Sequence, residues 1–137
     1  MTGCRIFIES NIWVYVFGEE DDKKAYLAKK FIDENWENKI FISYQVVNEV
    51  SNVLKRKRNS ETKIKTVINN LSKNYTVLQY STQNALLASD LREKYKFSFW
   101  DSNIAASALS AKCDYLISED MQDGLNINGM TVKNILK

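Results

Sequence analysis

The sequence of 137 residues contains no histidine. This absence excludes imidazole acid–base catalysis, nucleophiles activated by histidine, and zinc sites with histidine ligands. The chain has only two cysteines, Cys4 and Cys113, which are too few for a four-thiolate zinc site, and we expect both to be buried free thiols. Among the common metal sites, only those in which carboxylates bind a hard cation remain.

Glycine and long apolar segments are also scarce. The four glycines, at positions 3, 18, 124 and 129, form no phosphate-cradling loop, which disfavours a nucleotide-binding fold. No apolar run approaches the length of a membrane span, and the N-terminus lacks the cationic and apolar regions of a signal peptide. We therefore expect a cytoplasmic protein that has no membrane partner.

The remaining composition is that of an ordinary globular domain, with 45% hydrophobic and 26% charged residues. No linker rich in proline, glycine or serine divides the chain, so we expect a single domain over residues 1–137. The net charge of +2 is too small to indicate a nucleic-acid-binding protein, so any basic surface must be local.

Strand-like segments alternate with helical segments along the chain. This alternation predicts crossover connections and a mainly parallel sheet with helices on both faces. The expected strands are 5–8, 39–42, 75–80, 114–117 and a weaker 131–136. The expected helices are 12–17, 23–34, 44–57, 61–71, 83–94 and one from 101 or 102 to about 112.

Four acidic residues interrupt apolar segments. Glu9 stands directly after the first strand, and Glu49 lies within the apolar run 46–50. Asp101 begins a helix rich in small residues, and Asp120 follows the fourth strand. Open α/β sheets bind their ligands at the carboxyl ends of the strands, and acids in apolar segments are costly unless something compensates them. A divalent cation is the compensation that we expect, and it indicates phosphodiester chemistry.

Each of these acids also has a simpler interpretation. Asp101 could cap its helix, Glu49 could be a solvated helical glutamate, and Glu9 could be a loop acid at a helix start. Asp120 lies in a polar loop that contains two further acids. We expect Asp123 to be an outer or second-metal ligand, and Glu119 to be solvated.

Four segments, in order and spacing over essentially the whole chain, resemble a PIN domain, and within that family the VapC-like ribonuclease toxins of prokaryotic toxin–antitoxin pairs. The segments are IFIESNI (6–12), NEV (48–50), WDSNIAASA (100–108) and LISEDMQDG (116–124).

The resemblance implies a three-layer α/β/α sandwich with a mainly parallel five-stranded sheet. It also implies an endoribonuclease that depends on Mg²⁺ or Mn²⁺, forms a homodimer and is inhibited by a cognate antitoxin. The catalytic and metal-binding acids carried over by position are Glu9, Glu49, Asp101 and Asp120. Ser10 or Asn11 would support Glu9, and Ser118 would hold the site through hydroxyl hydrogen bonds, with Asp123 as a further supporting residue.

Glu9 departs from the family pattern, which has aspartate at this position. The extra methylene moves the carboxylate outward by about 1.5 Å, and Mg²⁺ requires near-ideal octahedral geometry. Either the site has adapted to glutamate, or the protein is attenuated or inactive, or the glutamate is an engineered substitution. The alternative function is therefore an inactive PIN-like module that binds RNA or a protein. A phosphoryl-transfer domain of the receiver or haloacid dehalogenase type ranks lower, because it needs a nucleophilic aspartate where Glu9 stands.

One basic run and three aromatic residues complete the list of candidates. The run could contact RNA phosphates, although cations at a helix C-terminus are also stabilised by the helix dipole. Its members are Lys55, Arg56, Lys57 and Arg58. The aromatic residues, which we expect in the core, are Trp13, Tyr15 and Trp36.

Overall fold

Six strands and six helices make up the part of the chain that the computed structural model describes, residues 3–20 and 22–137. The strands are β1 (Arg5–Ile8), β2 (Lys39–Ser43), β3 (Thr76–Leu78), β4 (Tyr115–Ile117), β5 (Asn126–Ile127) and β6 (Met130–Lys133). The helices are α1 (Ser10–Phe17), α2 (Lys23–Glu34), α3 (Tyr44–Arg56), α4 (Glu61–Asn74), α5 (Thr82–Tyr95) and α6 (Phe99–Ser110).

The sheet has the order β3-β2-β1-β4-β6-β5, and every neighbouring pair is parallel except β5 with β6. The predicted mainly parallel sheet is confirmed, with one strand more than the expected five. The additional strand, β5, is two residues long and turns back into β6 through Asn128 and Gly129, which both have positive φ. An Asn-Gly pair is a strong hairpin signal, so this strand could have been found.

Helices cover both faces of the sheet, as the predicted three-layer class requires. From β1 the chain adds β2 and then β3 on one side of β1, with α1–α4 as the connecting helices. The helices α5 and α6 then lead to β4, which lies on the other side of β1. Because such crossovers are right-handed, opposite directions of travel place the two helix groups on opposite faces. The packing agrees with this, since α1 contacts α2 and α3, α3 contacts α4, and α5 contacts α6.

The core centres on β1, whose residues Ile6, Phe7 and Ile8 are fully buried between the two helix layers. Trp13 is buried as expected, and its indole nitrogen donates to the Ile8 carbonyl at 3.1 Å. The expectation for Trp36 is wrong, because this residue lies in the turn after α2 and is 76% exposed.

Serine residues fix where several helices begin, by accepting a backbone N–H with the side chain. Ser43 caps α3 and Ser60 caps α4. Ser98 caps α6, so this helix begins at Phe99, two residues before the earlier of the two expected starts, and Asp101 lies in its first turn. The N-cap position of α1 belongs to Glu9, whose side chain makes no capping hydrogen bond.

Both cysteines are free, as expected; Cys113 is buried and Cys4 is half-buried. Burial raises the pKa of the Cys113 thiol to about 12. Within residues 3–20 and 22–137, no helix has the length and apolar character needed to cross a membrane.

Candidate active site

The candidate site lies where β1 and β4 end, at the switch point of the sheet. The strand β1 pairs with β2 on one side and with β4 on the other, so the chain leaves the ends of these strands in opposite directions. Such a divergence opens the crevice in which α/β proteins bind ligands. The Glu9 backbone N–H donates to the Ile117 carbonyl at 3.0 Å, which joins the two strand ends at the floor of this crevice.

Glu9 forms the floor of the site, with only 6% of its surface exposed. Its Oε2 atom is buried and has no hydrogen-bond partner among the described residues. The pKa of Glu9 is raised from 4.5 to about 7, chiefly by burial, although the nearby Ser118 hydroxyl acts to lower it. The negative charges of Asp101, Asp120 and Glu49 also contribute to this raised pKa. A carboxylate in this position is poorly compensated by the protein alone.

Glu49 reaches the site from the second turn of α3 and is half-buried. The Ser10 hydroxyl, from the start of α1, donates to Glu49 Oε1 at 3.3 Å. Burial raises the pKa of Glu49, while hydrogen bonds from Gln45 and Ser10 lower it and the charge of Asp101 raises it. The predicted support from Ser10 therefore goes to Glu49 and not to Glu9.

Asp101 and Asp120 complete the acidic group from the side of α6 and from the loop after β4. Asp101 is half-buried, and Asp120 is exposed. The Asn11 side chain donates from Nδ2 to Asp120 Oδ2 at 3.1 Å, across 109 positions of sequence. The buried Ser118 hydroxyl accepts the backbone N–H groups of Asp120 and Met121, both at 3.2 Å, and so fixes the loop that carries Asp120.

The donor chemistry of this group fits a hard cation. Two buried oxygen atoms have no partner within the described ranges, Glu9 Oε2 and Asn11 Oδ1, and all the surrounding ligands are oxygen. Carboxylate and amide oxygens are the ligands that Mg²⁺ and Mn²⁺ prefer. The carboxylates of residues 3–20 and 22–137 are nevertheless spaced too widely to form a ready-made site of three ligands. Mutual repulsion among carboxylates opposes their closer approach until a cation binds.

The other two acids of the loop are engaged elsewhere. Asp123 Oδ1 accepts the backbone N–H of Asn134 at 2.8 Å, and this hydrogen bond is the main cause that lowers the pKa of Asp123. Asp123 Oδ2 lies 3.5 Å from Lys137 Nζ. These contacts tie the loop to the C-terminal segment, and a role for Asp123 as an outer ligand stays a prediction.

Glu119 is not solvated, contrary to our expectation. The Lys24 ammonium lies 2.6 Å from Glu119 Oε2, and the Tyr15 hydroxyl donates to Glu119 Oε1 at 3.0 Å. This arrangement anchors the residue before Asp120 to α1 and α2. Sequence reasoning missed it because about a hundred residues separate the partners.

The basic run lies at the far end of α3 from the sheet edge. Lys55 is six residues after Glu49, or about 9 Å along the helix axis. The Lys55 ammonium lies 3.5 Å from Glu61, and the Lys57 ammonium lies 3.2 Å from Glu20. Two of the four cations are thus paired with carboxylates, while Arg56 and Arg58 are exposed. RNA binding by this run stays a prediction.

Comparison with known proteins places this geometry in a family. The sequence model of the PIN domain matches residues 6–122, which include all four acids. No curated protein matches the chain significantly in sequence.

Solved structures share the fold at low sequence identity. A toxin–antitoxin complex from Klebsiella pneumoniae matches with a TM-score of 0.72 and 22% identity, covering 95% of this chain and 97% of that chain. The DNA-bound VapBC of Salmonella typhimurium matches with a TM-score of 0.72 and 16% identity, covering 98% and 99%. VapC20 of Mycobacterium tuberculosis, described as a sarcin–ricin loop cleaving toxin, matches with a TM-score of 0.67 and 17% identity, covering 81% and 86%.

Proposed function

Because this chain belongs to the PIN domain family, we propose that it is a divalent-metal-dependent endoribonuclease that acts as the toxin of a toxin–antitoxin pair. The observation that carries the proposal is the buried Oε2 atom of Glu9, which lies near the charges of three further acids and has no hydrogen-bond partner in the described part of the chain. The chain contains no histidine, so the carboxylates and a cation must supply the chemistry.

We assign the cation to Glu9, Glu49, Asp101 and Asp120. When bound, Mg²⁺ or Mn²⁺ makes an attacking water more nucleophilic and neutralises charge on the phosphoryl oxygens. The protein contributes the orientation of the ligands, through Ser10 on Glu49, Asn11 on Asp120 and the Ser118 hydroxyl under the loop. The buried position of Glu9 keeps water away from one side of the site, where the charge interactions are correspondingly strong.

The partners follow from the same proposal. Two of the similar structures are a toxin–antitoxin complex and a VapBC assembly, which supports a cognate antitoxin as the inhibitor of this chain. An RNA substrate and a homodimeric state complete the proposal, and RNA as the target implies action in the cytoplasm.

Cleavage of a labelled RNA in the presence of Mn²⁺ tests the enzymatic proposal. We expect the purified chain to cleave RNA, EDTA to stop the reaction, and Asp101→Asn to lower the rate at least a hundredfold, about the effect of losing one group that stabilises transition-state charge. Asp90→Asn is the matched control, because Asp90 is an exposed aspartate on α5.

The alternative is an inactive module that binds RNA or a protein. Its specific support is Glu9, where the family pattern has aspartate. If neither the chain nor its Glu9→Asp variant cleaves RNA with any divalent metal, and the chain still binds RNA or an antitoxin, the binding module replaces the enzyme.

A further inference from the structure

A cavity of about 400 Å³ lies beside the acidic site, between the first turn of α6 and the carboxyl ends of β2 and β3. We call it the aromatic pocket. Its lining includes four rings that are each at least half exposed, together with a guanidinium and a buried amide. These residues are Tyr44, Tyr80, Phe99, Trp100, Arg92 and Asn103. Its volume falls within the range of about 300–1,000 Å³ that is typical of small-molecule sites.

The polar groups of the aromatic pocket are held in place by their neighbours. The Arg92 guanidinium lies 4.9 Å from the centroid of the Phe99 ring and donates to the Ser102 hydroxyl at 2.7 Å. The Tyr80 hydroxyl donates to Asn103 Oδ1 at 2.6 Å, which fixes the orientation of this buried amide. The rings of Phe99 and Trp100 meet edge to face with centroids 5.0 Å apart. The pocket is therefore preorganised.

The aromatic pocket adjoins the acidic site. A second cavity of about 470 Å³ is lined by Glu49 together with Gln45 and Trp100, and these last two residues also line the aromatic pocket. The Gln45 side chain donates to the Trp100 carbonyl at 3.5 Å and also hydrogen-bonds Glu49. Asp101 is the residue after Trp100. The two cavities therefore adjoin each other at Gln45 and Trp100, between Glu49 and the aromatic pocket.

We propose that the aromatic pocket holds one unpaired nucleobase of the RNA, next to the phosphodiester at the acidic site. This inference rests on the proposed function. Exposed aromatic rings and guanidinium planes are the groups on which proteins stack single-stranded bases, and side-chain amides bond the base edges. The polar edge of a base also offers acceptors to the side-chain N–H groups of Arg92 and Asn103, whereas an apolar protein face offers none.

RNA binding by the intact chain tests the inference. All variants are made in an Asp120→Asn background, in which cleavage is expected to be silent, and binding of a fluorescein-labelled single-stranded RNA octamer is followed by anisotropy with Mn²⁺. We expect Trp100→Ala to weaken binding about tenfold, the effect of losing one stacked base, and Trp100→Tyr to retain most of the affinity. Trp36→Ala is the matched control, because Trp36 is an exposed tryptophan outside the pocket.

A series of octamers with one abasic position each identifies the base. Removal of the base at one position should weaken binding of the octamer to the Asp120→Asn parent, which retains Trp100. The same removal should have little further effect on binding to the Trp100→Ala variant. Equal affinity of Trp100→Ala and Trp36→Ala, with cleavage by the native chain intact, would overturn this inference and leave the proposed function standing. Absence of both cleavage and binding would overturn the two together.

A second copy of the chain is the competing occupant, and the molar mass measured by light scattering distinguishes it. A change from dimer to monomer in Trp100→Ala, together with an abasic series in which no position depends on Trp100, would assign the aromatic pocket to a protein interface. The inference requires instead that Trp100→Ala keeps the mass of its parent while it loses affinity for RNA.

Discussion

Replacement of Glu9 by glutamine should stabilise the metal-free protein at pH 8 and change its stability much less at pH 5. The pKa of Glu9 is raised from 4.5 to about 7, chiefly by burial, so the folded state binds the proton more tightly than the unfolded state does. The stability that this proton contributes is complete below about pH 4.5 and is lost as the pH rises through about 7. At 1.36 kcal/mol per pKa unit, the buried charge costs about 3 kcal/mol at pH 8.

Urea denaturation at the two pH values, in EDTA, measures this cost. The difference in unfolding free energy between Glu9→Gln and the native chain should grow from about 0.8 kcal/mol at pH 5 to about 3 kcal/mol at pH 8. Glu93→Gln, at an exposed glutamate of α5, controls for the loss of one negative charge and should stay within about 0.5 kcal/mol at both pH values. An equal difference at pH 5 and pH 8 would refute the reasoning, because the effect would then not come from the ionised carboxylate.

Three further outcomes are expected. Millimolar Mn²⁺ should raise the melting temperature of the native chain and leave that of Asp101→Asn nearly unchanged in differential scanning fluorimetry, because the cation relieves repulsion only where its ligands are intact. Shortening Glu9 to aspartate should increase the rate of RNA cleavage, since the carboxylate moves back by about 1.5 Å; a decrease would indicate a site adapted to glutamate. Ser98→Ala should lower the unfolding free energy by about 1 kcal/mol in urea titrations, because Ser98 accepts the Asp101 N–H at 3.2 Å and caps α6.

The parts of the fold that the sequence predicts well are those set by local chemistry. The apolar run of β1 identifies the central strand because only a strand buried on both faces tolerates it. Ser43 and Ser60 mark helix starts because a side-chain cap acts over three residues. The start of α6 is not predicted correctly, because the Ser98 hydroxyl and the Asp101 carboxylate are both able to cap a helix. In the structure Ser98 is the cap.

The contacts within the candidate site could not be predicted in the same way. Asn11 bonds Asp120 and Tyr15 bonds Glu119 across more than a hundred positions, and no local pattern encodes such a pairing. The aromatic pocket is missed for the same reason. Its walls come from β2, α3, α5, α6 and the end of β3, and nothing in the local sequence around Trp100 indicates that these elements meet there.

Depth in the crevice distinguishes four acids that look alike in the sequence. Glu9 follows the central strand and lies at the floor, whereas Asp120 follows β4 at the exposed rim, with Glu49 and Asp101 at intermediate depth. Because desolvation is the largest cause of the raised pKa of both Glu9 and Glu49, the deeper acids are the ones whose charge the protein compensates least. These acids have the most to gain from a cation, while Asp120, which Asn11 already holds, remains accessible to solvent and substrate. The position of Glu9 at the floor is therefore the reason why one methylene there should matter more than a similar change at the rim.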